Sequence, residues 1–110
     1  PGFDFHSQSL DEVIIFGEAK YLDDRNAYGS GLKQVVRFIS DKKDIKDLAD
    51  LRDFCSQNAL SSVSKGMKGF AVAFSAKSTP SDTLVSNIIK NKDFISLLQH
   101  QEIIIVAVNI

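Results

Sequence analysis

Over Gly2 to His6 apolar and polar residues alternate, which predicts a short strand with Phe3 and Phe5 on one face and Asp4 and His6 on the other. Ser7 to Asp11 reads as a polar turn. Four consecutive large apolar residues, Val13 to Phe16, then lead through Gly17 into Glu18, Ala19, Lys20 and Tyr21, and predict a second strand over Val13 to Tyr21. Side chains alternate along a strand, so Glu18 and Lys20 share the face of Ile14 and Phe16, while Ile15, Gly17 and Ala19 point the other way. The two strands lie at hairpin distance and are expected to pair antiparallel, which allows Asp4 and Glu18 to share a face. The first part of the second strand reads as buried on both faces. A carboxylate and an ammonium emerging together from it would be partly desolvated and in need of partners, and a divalent metal and a phosphate would satisfy them.

The rest of the chain alternates helices with buried strands. Leu22 to Ser30 has loop composition and includes Asp23 and Asp24. Ser30 is the expected N-cap of a helix running to about Ser40, with Leu32, Val35, Val36 and Ile39 at helical spacing and Lys33, Gln34 and Arg37 on other sides. Asp44 is expected to cap a second helix to about Asn58, whose apolar stripe includes Ile45, Leu48, Leu51, Phe54 and Cys55. Ala59 to Gly69 reads as a connection rich in Ser, Lys and Gly. Phe70 to Phe74 and Ile103 to Val108 read as interior strands. Between them, Thr79 with Pro80 and Asp82 starts a helix that bends near Asn91 and resumes with Phe94. Helical crossovers place the later strands parallel to the Val13 strand. The fold class is therefore α/β, a mixed central sheet flanked by helices in one domain.

Composition narrows the setting. With 110 residues, 44% of them hydrophobic, the chain suffices for a single core. A formal net charge of -1 lacks the general basic footprint of a protein that coats nucleic acid, so such binding must be local. Cys55 is the one cysteine, which excludes an internal disulfide and a cysteine-based zinc site and fits a reducing cytoplasm. No apolar run approaches the ~18 residues that a membrane helix needs, and no signal peptide is visible. The chain opens on Pro1 and not on methionine, as expected of a piece of a longer protein.

Two carboxylates on adjacent strands, with a lysine two residues beyond the second, supply what metal-dependent phosphodiester hydrolysis requires. Asp4, Glu18 and the backbone carbonyl of Ala19 offer hard oxygen ligands to Mg²⁺ or Mn²⁺. Lys20 can position the attacking water or stabilise developing charge. This constellation, Gly2-Phe3-Asp4, a hairpin, Gly17-Glu18-Ala19-Lys20 on an apolar strand and then a helix, resembles the catalytic core of the PD-(D/E)xK nuclease superfamily. The resemblance covers roughly Gly2 to Phe74. It implies a restriction-endonuclease-like fold lacking the N-terminal helix and strand that usually precede the aspartate strand. It also implies Asp4 and Glu18 as metal ligands and Lys20 as a catalytic residue. Gln34 and Phe38 match a Gln-x-x-x-aromatic pattern on the following helix, with Gln34 expected to orient Lys20 or the scissile phosphate. Among branches, the compact Gly-x-Asp and Gly-Glu-x-Lys motifs are similar to the nuclease subunit of the Hachiman anti-phage system.

The expectation is thus a Mg²⁺-dependent deoxyribonuclease, with Lys33 and Arg37 on the phosphate backbone. Duplex cleavage needs two sites or a repositioning, which a homodimer supplies most simply; a larger defence complex is the other expected partner. A different class of function stays open. Glu18 and Lys20 could pair with each other in a non-catalytic module that binds nucleic acid or a partner subunit. A nucleotide-binding domain is disfavoured because no glycine-rich phosphate loop is present.

Overall fold

The apolar run after Val13 forms the second of four strands in a mixed sheet. The computed structural model describes residues 2–23 and 25–108, so Asp24, one of the two acidic loop residues, lies outside the described residues. The elements are β1 (Phe5–Gln8), β2 (Ile14–Lys20), α1 (Ala27–Ser40), α2 (Lys43–Lys46), α3 (Leu48–Leu51), α4 (Gln57–Ser64), β3 (Gly69–Ser75), α5 (Ser81–Lys90), α6 (Lys92–Leu97) and β4 (Glu102–Val108). The sheet order is β1-β2-β3-β4, with β1 antiparallel to β2 and the β2–β3 and β3–β4 pairs parallel. The expected α/β class and the parallel crossovers are observed. No helix among the described residues is long and apolar enough to cross a membrane.

The hairpin register sets Phe5 opposite Gly17 and His6 opposite Phe16. Continuing it by one residue brings Asp4 level with Glu18. The first strand is nonetheless displaced from its expected span of Gly2 to His6. Asp4 lies in a bend before β1, and that bend breaks the alternation. Phe3 and Phe5 consequently part company: Phe5 is partly exposed beside Gly17, whereas Phe3 is buried in the main core. There Phe3 packs against Phe16, Phe38 and Phe70 with ring centroids 5.4, 5.3 and 5.7 Å away. Burying such a ring contributes about 1.5–3 kcal/mol, so the residue just before Asp4 is firmly anchored.

Helices gather on one sheet face. Ile14, Phe16, Phe70, Val72 and Phe74 on that face form a single cluster with buried residues from α1, α3, α4, α5 and α6. The opposite face carries only the small buried cluster of Val13, Ile15 and Ala71, and there Phe5, Ile104 and Val106 stay exposed. The flanking helices expected around the sheet therefore cover one side only, among the described residues.

The middle of the chain departs most from expectation. α1 starts at Ala27 after an Asn26 cap, not at a Ser30 cap, which shortens the loop. Gly31 explains how closely α1 sits: a Cβ there would lie 2.6 Å from Val72 Cγ1, so only a hydrogen fits. The single helix expected over Asp44 to Asn58 is instead two short turns, α2 and α3, followed by a break. Asp44 caps nothing; it is buried and ion-paired to Lys68. The supposed connection after Ala59 is mostly α4, capped by Ser56, whose hydroxyl accepts Ala59 N–H at 3.1 Å. Ala59, Leu60 and Val63 face the core at helical spacing. Near the C-terminus, Asn91 breaks the helix outright. Its side chain accepts the Asp93 and Phe94 N–H groups at 2.9 and 3.0 Å and starts α6.

Candidate metal and phosphate site

The site lies at the C-terminal end of β2, where the apolar strand delivers Glu18 and Lys20 toward α1. A cleft of about 750 Å³ opens there. Asp4, Glu18, Ala19 and Lys20 form one wall of the cleft. Gln34, Arg37 and Phe38 of α1 form another, and Gly2, Asp41 and Lys43 complete it. The structure therefore brings Asp4, Glu18, Ala19, Lys20, Gln34 and Arg37 together. Lys33 is elsewhere, in a separate polar hollow with Asn26 and Lys92. One residue along a helix is a rotation of about 100°, enough to turn Lys33 away while Gln34 and Arg37 face the cleft.

Asp4 is held by its own strand partner. Its Oδ2 accepts the Ala19 N–H at 2.9 Å, and its backbone N–H donates to the Gly17 carbonyl at 2.9 Å. The Ala19 hydrogen bond and then a hydrogen bond with Glu18 hold the Asp4 carboxyl below the usual carboxylate range against the opposing effect of burial, with a lesser contribution from the charge of Lys20. Glu18 behaves in the opposite way. It is only 2% exposed, and burial first, then the hydrogen bond with Asp4 and the charge of Asp4, push its pKa up to about 7. The positive charge of Lys20 opposes this and does not prevail. Two neighbouring carboxyls with pKa values pushed apart share one proton near neutral pH.

One atom at this site lacks a partner. Glu18 Oε1 is buried and accepts no hydrogen bond. A buried acceptor left unsatisfied costs about 1–3 kcal/mol, and a cation would remove that cost. The donor set fits a hard divalent ion, since both side chains offer oxygen. Among the described residues no three His, Cys, Asp or Glu side chains gather here or elsewhere. Two carboxylates completed by backbone oxygen, water and a substrate phosphate is the kind of coordination Mg²⁺ accepts.

On α1, Arg37 Nη2 donates to Gln34 Oε1 at 3.4 Å, a long contact that leaves Arg37 free to turn toward an anion. Lys20 runs along the helix, with its Cγ only 3.5 Å from where a Gly31 Cβ would stand. Asp41 and Lys43 also reach the cleft because α1 ends beside it. Nothing in the sequence distinguishes them from an ordinary charged break. His6 is paired to Asp47 and stacks edge-on against Phe16, so it is not part of the cleft wall.

The Glu18 proton has a measurable consequence. A carboxyl whose folded pKa lies above its unfolded one favours the folded state fully below about pH 4.5, and that contribution is lost as pH rises through about 7. Glu18→Gln keeps the shape without the charge. In chelator-treated protein it is expected to be more stable than the parent at about pH 8, by on the order of 1–2 kcal/mol after allowing for solvent in the open cleft, and equal to it near pH 4.5. Thermal unfolding across that range checks the expectation; a stability gap that does not change with pH would refute it. No family model, no curated protein and no solved structure matches the chain.

Proposed function

We propose that this chain is the core of a metal-dependent nuclease that hydrolyses phosphodiester bonds in DNA, with a restriction-endonuclease-like arrangement of its hairpin, helix and parallel strands. The observation that carries the reading is the buried, unpartnered Glu18 Oε1 beside Asp4 at the wall of a cleft that also holds Lys20 and Arg37. A structural ion pair accounts for it less well. Salt bridges among the described residues join other partners, and none links Glu18 to Lys20.

In this reading Asp4 and Glu18 hold Mg²⁺ or Mn²⁺, with the Ala19 carbonyl as a further oxygen. The bound ion supplies Lewis-acid stabilisation of the phosphate oxygens and a more acidic water. Glu18 gives up its proton to accept the cation, so loading is favoured as pH rises toward 8. Lys20 stands two residues beyond Glu18 on the same strand face and donates to the attacking water or to the developing charge. Gln34 and Arg37 approach from α1, where Arg37 offers a fork of donors to a phosphate and Gln34 orients it. The resemblance to an anti-phage nuclease subunit makes a defence role and a second subunit, like or unlike, part of the same proposal.

Titration with Mn²⁺ by calorimetry tests the reading. The intact chain is expected to bind, and Glu18→Ala is expected to lose binding while retaining a cooperative thermal transition. Failure of the intact chain to bind would overturn the catalytic proposal.

A further inference from the structure

Asp4 stands in a bend just before β1, where two hydrogen bonds to β2 hold it and its chain neighbours are held by other contacts. The Phe3 ring anchors one side. A further restraint on the segment comes from Asp47, at the junction of α2 and α3. Its Oδ2 accepts the backbone N–H of Phe3 at 3.3 Å and pairs with His6 Nε2 at 2.9 Å. One carboxylate oxygen thus grips the chain immediately before and two residues after Asp4. The same carboxylate lies so close to Gly2 that a side chain there would collide with it. The Asp47 side chain is itself mostly buried, at 16% exposure, so water competes weakly for these bonds.

We propose that Asp47 is a positioning residue for the metal site. It clamps the segment Gly2 to His6 so that Asp4 meets Glu18 at the cleft wall, and it does so without lining the cleft itself. This rests on the reading of Asp4 and Glu18 as metal ligands. Outer groups that orient a ligand typically change metal affinity by tens-fold when removed. The grip also couples the α2–α3 turn to the site, since the residue that ends α2 also holds the chain on either side of Asp4.

The test compares Mn²⁺ affinity and thermal stability in four proteins: the intact chain, Asp47→Ala, Asp47→Asn and Ile88→Ala. Ile88 is a buried residue of α5 in an apolar groove away from the cleft, and its truncation lowers stability without touching the hairpin. Affinities are measured well below every transition temperature. Asp47→Ala is expected to weaken Mn²⁺ binding about 10- to 100-fold. Asp47→Asn, which retains an acceptor oxygen, is expected to recover most of that loss, and Ile88→Ala is expected to bind as the intact chain does. Equal affinity in Asp47→Ala and Ile88→Ala would overturn the positioning role while leaving the metal site standing. Absence of binding in the intact chain would overturn the site and this inference together.

Discussion

Lys20→Ala is expected to lower phosphodiester cleavage by about a hundred- to a thousandfold while leaving Mn²⁺ binding within a few-fold of the parent. The reasoning is one of placement. Lys20 shares the cleft wall with Asp4 and Glu18, and β2 and α1 fix its backbone and the start of its side chain. A donor held where charge develops acts on the transition state far more than on the resting ligand, so its loss should appear in kcat. The carboxylates remain in this variant, so metal affinity is preserved. Lys20→Arg is expected to recover little, because a planar guanidinium does not place its donors where a compact ammonium does. Single-turnover cleavage of single- and double-stranded DNA with Mn²⁺, alongside calorimetry, reads both quantities. Unchanged cleavage in Lys20→Ala would remove it from the mechanism.

The largest stability effect is expected at a pair that does not itself line the cleft. Asp44 is 1% exposed and is paired to Lys68, which precedes β3. Lys68→Ala deletes the partner and leaves a buried carboxylate without its ion pair. Breaking a buried pair in this way costs about 3–5 kcal/mol, whereas replacing both members with apolar residues of similar size is often neutral. For a chain of this length the single variant should melt more than about 10 °C below the parent. The double variant Asp44→Leu with Lys68→Met is expected to regain most of that loss. Thermal unfolding of the two proteins separates a true pair from incidental proximity: equal melting of Lys68→Ala and the parent would mean that the ion pair contributes nothing.

The same pair shows why the middle of the chain was hard to read. Asp44 looks like a helix cap, because an acidic residue before Ile45 and Leu48 has that local signature. Its actual partner lies 24 residues away, and no local pattern announces it. Ser56 was a missed signal of the opposite kind. A hydroxyl followed by Ala59, Leu60 and Val63 has the form of a cap and an apolar stripe, yet the surrounding serines and lysines suggested a loop. The hairpin and β2 were legible because their information is local: an apolar run, a short turn and a period of two. Asp4, Glu18, Lys20, Gln34 and Arg37 converge in the structure for that reason. Lys33 sits outside the cleft because one helical step turns it away from Gln34 and Arg37, and no local pattern announces Asp47 because its contacts are with Phe3 and His6, more than 40 residues earlier.

The hairpin that carries Asp4 and Glu18 also separates their meeting from their burial. The Ala19-to-Asp4 hydrogen bond closes a loop of only 15 residues, whereas Glu18 meets Val72 of β3 through more than three times that length. Loop-closure entropy rises by about 0.6 kcal/mol for each doubling of length. The two carboxyls can therefore be brought together more cheaply than the sheet that covers them. On a solvated hairpin both would ionise as ordinary acids and repel each other. Only with β3 and α1 closed over Glu18 does the pair retain its proton, so the acid strength of this site belongs to the assembled sheet and not to the hairpin.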